Sequence, residues 1–588
     1  VATISEALQL ATQHHQAGRL EWAEEIYRRI LDAEPERAET MNALGVAILH
    51  QGRIREAADW FERALRYAPE DVATHSNLGL ALHAEGRLAE ATAHLQHALR
   101  LAPGDFEART NLGLVHLAGC DLDAAGQCFE AACRGAPSHA FAWANLASVR
   151  QAQGLIDDAI ECYRHARGLH PGDPTIHSSY LNTLQYRADV TLVGLQTAHE
   201  EFERRHTEPL RATRQPHANR PDPNRSLRLG FVSPQFRKHP VGHFLLTVLE
   251  SLPADRCEAI CYSDTRGPDA VTARFSAAAA AWHEVTGLDD TKLAERIRAD
   301  CIDVLFDLAG HTSGNRLLTF ARKPAPLQVT WLDYVGTTGL SAMDYLLADR
   351  YEVPPDAEPF YRERVLRMPD DYLCYTPPPE APPVGPLPAL ERGTVTFGSL
   401  NNPAKMSELA VTLWARILRR TPGSRLILKY TGLTSTGARS RLHRLFAAAG
   451  VDTVRVELQG GTPLAEHLGC YHHIDIALDT LPYNGGLTTC EALWMGIPVV
   501  TCPGETFAGR HSLSHLTNAG FTETIARDLD DYVEIAVRLA SDLPRLAATR
   551  ARLREQMAAS PLCDGRRFAQ NLMQLLRSVW RAWCEKQR

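Results

Sequence analysis

From its beginning to Pro171 the chain repeats its apolar positions with a period of 34 residues. Ala23, Ala57, Ala91, Ala125 and Ala159 mark the small positions, and Tyr27, Phe61, Leu95, Phe129 and Tyr163 the large ones. Leu44, Leu78, Leu112 and Leu146 keep the same spacing, and Pro35, Pro69, Pro103, Pro137 and Pro171 close the units. A unit of this length, with small residues where helices touch and proline at its end, is a helix–turn–helix that buries its apolar face against its neighbours. The texture changes at Leu227. Short apolar runs of strand length now alternate with helical stretches: LRLGFVS (227–233), EAICYS (258–263), DVLFDLAG (303–310), QVTWLDY (328–334) and YLLAD (345–349). The run PPPEAPPVGPLP (377–388) interrupts the series. It resumes with VTFGSL (395–400), RLILKY (425–430), VRVELQG (454–460), IDIALD (474–479) and PVVTCPG (498–504). Strands alternating with helices predict doubly wound parallel sheets. From Leu543 the tail reads as helix, with Trp580 and Trp583 as packing anchors.

The 34-residue unit is the tetratricopeptide signature, and five repeats are visible over residues 1–171. Asn77, Asn111 and Asn145 hold one position of successive repeats, where Ala43 stands in the second. Stacked by the solenoid they form an amide ladder that could pair with an extended peptide backbone, although local turn-making is the plainer use of asparagine. Residues 172–226 read as a helical linker ending in QPHANRPDPNRS. The domains expected after it are 227–380 and 381–588, the second carrying the nucleotide site and the C-terminal helices.

The stretch from Asp475 to Gly504 concentrates the chemistry. Its strand feeds Pro482, Asn484, Gly485 and Gly486, and a helix follows, with Thr488 or Thr489 expected as N-cap and Gly496 at its end. A strand, a glycine loop and a helix N-terminus form a phosphate cradle, because free amides and the helix dipole both favour an anion. Glu491 would repel a phosphate beside it and suits a ribose hydroxyl, so the stretch reads as a nucleoside-diphosphate site; an ordinary strand–helix turn is the bland reading. Ligands of such sheets gather beyond the strand ends. GFVSPQFRKHPVGH, LAGHTSGNR and SLNNPAK all fall there.

Composition narrows the partners. A net charge of −8 and a pI of about 6.3 leave no footprint for nucleic acid or an anionic membrane. No signal peptide or membrane-length apolar run is visible, so a cytoplasmic location is the expectation. The 13 cysteines are scattered and odd in number, which argues against a disulfide framework. No His/Cys cluster has zinc spacing, and Asp528-Leu529-Asp530 reads as a helix-capping charge cluster.

Repeats fused to this α/β region resemble the O-GlcNAc transferases of glycosyltransferase family 41, including the plant spindly proteins. The motifs that carry the resemblance run in order: SPQFRKHPVGH, DLAGHTSGNR, KPAPLQVTW, GTTG, NNPAK, DTLPYNGGLTTCEALWMGIPVVT and PGETFAGR. The resemblance implies an α + α/β chain, a tetratricopeptide-repeat superhelix fused to a two-domain GT-B glycosyltransferase with two doubly wound parallel sheets. It implies inverting, metal-independent transfer of a sugar from a nucleotide-sugar to Ser or Thr of intracellular proteins, without a cofactor. UDP-GlcNAc is the favoured co-substrate, and protein acceptors would be held in the tetratricopeptide groove. By motif, Lys405 would meet the diphosphate, and His239 is the candidate general base on the acceptor hydroxyl, with a donor phosphate oxygen as the alternative proton acceptor. Asn402, Asn484, Gly485, Gly486 and Thr488 would sit at the diphosphate, His467 on the nucleobase and Glu491 on the ribose. His311, with His243 beside it in the set, and Arg510 would complete the donor site. With 25 histidines in the chain, only motif context lifts these. Where the animal enzymes have Asn-Gly-His-Thr-Thr this chain has Asn484 to Thr488 as NGGLT, and their GYPG is Asp333 to Gly336 as DYVG. The loop is closer to spindly, which resembles an O-fucosyltransferase using GDP-fucose. That donor is the alternative, and a peptide-binding scaffold with weak transferase activity is a third reading.

Overall fold

The computed structural model describes residues 3–588. The chain forms two compact units, one running to Arg150 and taking up Glu161–His170, the other formed by Gln151–Ile160 and Pro171–Arg588.

The first unit is a stack of helix pairs in step with the sequence period: Ala38–His50 with Ile54–Tyr67, Val72–Ala84 with Leu88–Leu101, and Phe106–Ala118 with Leu122–Gly135. Phe61, Leu95 and Phe129 are fully buried between the helices of their pairs. Each lies against a glycine, and a Cβ on Gly45, Gly79 or Gly113 would stand 2.5–2.6 Å from the side chain. Helices that close leave no room for alanine, which is why the pairing is tight. The asparagine row lies on the first helix of each pair. Asn77 Nδ2 donates to Asn42 Oδ1 at 2.9 Å and Asn111 Nδ2 to Ser76 Oγ at 3.3 Å. These bonds tie successive repeats together, and both carboxamides, like Asn145, remain half-buried.

The second unit holds two parallel sheets. The first contains β1 (Leu227–Ser233), β2 (Cys257–Ser263), β3 (Ala281–Glu284), β4 (Val304–Asp307), β5 (Leu327–Thr330), β6 (Tyr345–Ala348) and β7 (Arg364–Arg367). Their order is β3-β2-β1-β4-β5-β6-β7. Leu227 pairs with Cys257 on one side of β1, and Leu229 with Val304 on the other. The second sheet contains β8 (Thr396–Ser399), β9 (Arg425–Lys429), β10 (Val456–Gln459), β11 (Ile476–Leu478) and β12 (Val499–Val500), in the order β10-β9-β8-β11-β12. The chain direction of winding reverses between β1 and β4 in one sheet and between β8 and β11 in the other. Crevices at such reversals are where ligands of open α/β sheets bind.

Three placements differ from the sequence expectation. The edge strands β3 and β7 were not foreseen, since neither AWHE nor RVLR is a continuous apolar run. The final helix, Gly565–Lys586, packs on the first sheet and not on the second. Phe568 stacks on Trp331 at 5.6 Å, and Trp580 is buried with Nε1 donating to Asp222 O at 2.9 Å. The segment expected as a linker is also packed on that sheet. Helices Pro174–Leu184 and Leu192–Phe202 place Ser178, Gln185 and His199 against His311 and Tyr334.

Candidate active site

A cleft of about 460 Å³ takes much of its lining from residues that follow four strand ends, with Tyr372, Tyr430, His467 and His511 added from others. Pro240, Val241 and Phe244 come after β1, and Leu332, Asp333 and Val335 after β5. Asn401, Asn402 and Lys405 come after β8, and Tyr483, Gly486, Leu487, Thr488 and Glu491 after β11. The last two groups therefore straddle the reversal point of the second sheet.

The loop after β11 is built on a buried carboxylate. Asp479 Oδ1 accepts from the amides of Gly485 at 2.7 Å and Thr480 at 2.9 Å, and Oδ2 accepts from Thr501 Oγ1 at 2.6 Å. Burial raises its pKa, while these donors hold it down. Gly485 is enclosed, since a Cβ there would meet Thr488 Oγ1 at 2.6 Å and Thr489 Oγ1 at 2.7 Å. The helix Leu487–Trp494 begins immediately after the glycines. Gly486, and not Thr488 or Thr489, holds the N-cap position. The two threonines lie inside the first turn, where Thr488 Oγ1 donates to Asn401 Oδ1 at 2.8 Å and Thr489 Oγ1 to Gly485 O at 3.0 Å. The first amides of this helix have no acceptor within it and border the cleft.

Lys405 reaches the same place. Its Nζ donates to Asn484 O at 2.8 Å and lies 3.8 Å from the centre of the Tyr483 ring. Burial pushes its pKa down to about 7, against the pull of Asp479. Tyr483 in turn stacks on Tyr186 at 4.9 Å. Glu491 is 5 % exposed in the helix and lies 3.5 Å from His467 Nε2, so the two side chains share one end of the cleft.

Of the residues expected from sequence, Asn402, Lys405, His467, Gly486, Thr488 and Glu491 line the cleft, and others do not. Asn484 is buried, with Nδ2 donating to Thr480 O at 2.7 Å; its role is to present its carbonyl to Lys405. Arg510 donates to the carbonyls of Tyr351 and Gly504. His311 is 1 % exposed, and its nitrogens are engaged by Ser178 Oγ at 3.0 Å and Thr338 O at 2.9 Å; it is a core histidine. His239 caps the helix Pro240–Ser251, its Nδ1 accepting from Val241 N at 3.4 Å. Burial, then Arg237 and His243, push its pKa down to about 4. His243 is held low by burial in spite of Glu491. Sequence reasoning gave no role to Asn401 and Tyr483, although both lie inside the family motifs, passed over Tyr430 and His511, which lie outside them, and named Asp333 without a role. Asp333 accepts from Thr312 Oγ1 at 2.8 Å, and burial pushes its carboxyl up to about 7.

Comparison with known proteins bears on this geometry. The family model described as glycosyl transferase family 41 matches residues 149–375 and 388–572. The chain belongs to this family. A tetratricopeptide-repeat model matches 8–72, 61–106, 77–140 and 110–174. The solved structure of a point mutant of a Thermobaculum terrenum O-GlcNAc transferase superposes with a TM-score of 0.83 and 36% identity, covering 88% of this chain and 99% of that one. A Petunia hybrida protein named as probable UDP-N-acetylglucosamine-peptide N-acetylglucosaminyltransferase SPINDLY is 42% identical over 375 residues, 62% of this chain and 40% of its own. An Arabidopsis thaliana protein with the same enzyme name, designated SEC, is 31% identical over 373 residues, 61% of this chain and 38% of its own. The chain thus spans about two fifths of the length of these curated family members.

Proposed function

We propose that this chain is an inverting glycosyltransferase that moves GlcNAc from UDP-GlcNAc to Ser or Thr hydroxyls of proteins. The observation that carries the reading is the convergence of the Lys405 ammonium and the first turn of helix Leu487–Trp494 on one cleft. Both supply positive potential in fixed positions, which a diphosphate needs as it departs. Glu491 and His467 offer a carboxylate and an aromatic ring for ribose and base at the other end. In the reaction the bond from the anomeric carbon to the diphosphate oxygen breaks and its electron pair stays on that oxygen. The acceptor hydroxyl oxygen forms the new bond on the opposite face, and its proton passes to a phosphate oxygen of the donor. Protein acceptors are favoured by the repeat unit, whose half-buried Asn77, Asn111 and Asn145 keep lone pairs and N–H groups for a peptide backbone.

A second donor is supported by one observation. The NGGLT loop, closer to the spindly pattern than to that of the animal enzymes, favours GDP-fucose. Calorimetric titration with UDP and GDP, followed by UDP-GlcNAc and GDP-fucose, decides between them. Tight UDP with weak GDP is the expected result. The reverse would replace the donor, and binding of neither would leave a peptide-binding scaffold. Replacing Asn111 and Asn145 by Ala tests the acceptor side: protein modification should fall while donor hydrolysis persists.

A further inference from the structure

His511 opens the helix His511–Ala519 and lines the cleft, yet its side chain is only 2 % exposed. Its Nδ1 stands 2.9 Å from Glu352 Oε1 and 3.2 Å from the Tyr372 hydroxyl. Its Nε2 makes no hydrogen bond among the described residues. The nearest atom to a Cβ built on Gly486 is His511 Cδ2, at 4.0 Å. The Cδ2–Nε2 edge of the ring therefore faces the glycine that opens the phosphate cradle. Packing leaves the ring little freedom: Tyr372 stacks on it at 5.9 Å, His515 at 6.3 Å, and Phe507 meets it edge-on at 5.6 Å.

The surrounding groups decide which nitrogen carries the hydrogen. Glu352 is 1 % exposed, its Oε2 has no hydrogen-bond partner among the described residues, and Asp349 and Asp371 are close enough to oppose its ionisation. Burial and these two carboxyls hold it well above the usual carboxylate range. Burial, then Lys405 and His515, hold the imidazole well below its usual value. Both shifts favour the neutral forms, and in a neutral pair the Glu352 carboxylic O–H would donate to Nδ1 and the ring hydrogen would sit on Nε2.

We propose that His511 is a further catalytic residue of this cleft, donating its Nε2–H to the diphosphate as the sugar–oxygen bond breaks, and that Glu352 positions it by fixing the tautomer. The inference rests on the nucleoside-diphosphate reading of the cleft. No proton leaves the imidazole: the hydrogen bond shortens as the electron pair of the broken bond collects on the diphosphate oxygen, so the interaction is stronger in the transition state than in the ground state.

The test is turnover of whichever sugar nucleotide the wild-type protein uses, with UDP and GDP titrations alongside. His511→Asn lacks a donor at the Nε2 position, and His511→Gln places an amide near it. We expect kcat to fall about 100-fold in His511→Asn with KM changed less than about threefold, and His511→Gln to recover part of the loss. Glu352→Gln separates the tautomer argument from a generic acid–imidazole pair. Its amide N–H donates to Nδ1 as the neutral acid does, so activity should stay within about threefold of wild type, while Glu352→Leu should lose about tenfold or more. Equal losses in Glu352→Gln and Glu352→Leu, both with wild-type melting temperature, would overturn the Glu352 assignment. Wild-type kcat in a folded His511→Asn would overturn the role of His511. A wild-type protein that binds neither UDP nor GDP would instead bring down the reading of the cleft, and the inference with it.

Discussion

On the side of the cleft carried by the second sheet, cation and amide face the ligand space: Lys405, the first turn after Gly486, and His511 behind it. On the side carried by the first sheet, Pro240, Val241, Phe244, Leu332 and Val335 present carbon, with Asp333 among them. The polar side is held by bonds that few sequences can make, such as Asp479 on the Gly485 amide and Asn484 O on Lys405. The apolar side is held by packing, which many sequences satisfy. A diphosphate requires fixed donors, whereas a sugar and an acceptor chain can be shaped by contact. On the proposed function, the division would give charge stabilisation to the first group and selection of the sugar and acceptor to the second.

The largest test of that division is Lys405→Ala. Removing the cation should lower turnover about 100- to 1,000-fold, the range for one preorganised donor at a developing anion. Single-turnover kinetics with saturating donor would check it. A variant that keeps its rate would move charge stabilisation elsewhere and end the contrast between the two sides. Next comes Gly485→Ala, which acts through shape alone. A Cβ 2.6 Å from Thr488 Oγ1 forces the first turn of the helix off Asn401. Overpacking of this kind costs about 1–3 kcal/mol, visible as a lower melting temperature together with weaker nucleotide binding. Unchanged melting and binding would show that the loop is softer than its hydrogen bonds suggest.

These two positions also show what the sequence discloses and what it withholds. NNPAK and the glycine loop were legible because backbone shape at a strand end restricts residue choice to Gly, Pro and Asn. The repeats were legible because Ala23 and its counterparts recur where helices touch. His511 was not, because it is a single histidine whose meaning comes from Glu352, 159 positions away, and from the Gly486 it faces. His311 misled for the converse reason: its motif is at a strand end, but Ser178 and Thr338 take both nitrogens. β3 and β7 escaped notice because edge strands are half-exposed and carry no continuous apolar run. That the final helix packs beside Trp331 was not legible, because its order along the chain says nothing about which core Phe568 and Trp580 join.

A smaller effect follows from the lowered pKa of Lys405, about 7 in the free cleft. An incoming diphosphate favours the ammonium, so the bound pKa lies higher. Between the two values binding takes up a proton, and affinity should fall as pH rises above 7, by at most about tenfold per pH unit. Below 7 the lysine is charged in both states and affinity should level off. Titrations in buffers of different ionisation enthalpy would reveal the proton. The sign for folding is separate: a lysine that is harder to protonate when folded costs stability below pH 7, and stability rises with pH from 7 towards its unfolded value near 10.5. Proton release on binding, or none, would place the ammonium away from the diphosphate.

The smallest effect is expected on the apolar side, at His239. Its Nδ1 caps the helix Pro240–Ser251 through Val241 N, and a long bond of 3.4 Å is worth the low end of a helix cap, about 0.5–1 kcal/mol. With a pKa near 4 the ring is neutral at pH 7 but a poor match for accepting a proton there. His239→Ala should therefore lower melting slightly and reduce kcat/KM by less than about tenfold, where loss of a working general base costs about 100- to 10,000-fold. His239→Asn, which restores a capping oxygen, should recover the stability without needing to recover any base. Should His239→Ala instead lose 100-fold or more at unchanged melting temperature, with Asn failing to restore it, the apolar side would carry proton transfer. The cleft would then divide its chemistry by step, with departure of the diphosphate on one sheet and activation of the hydroxyl on the other.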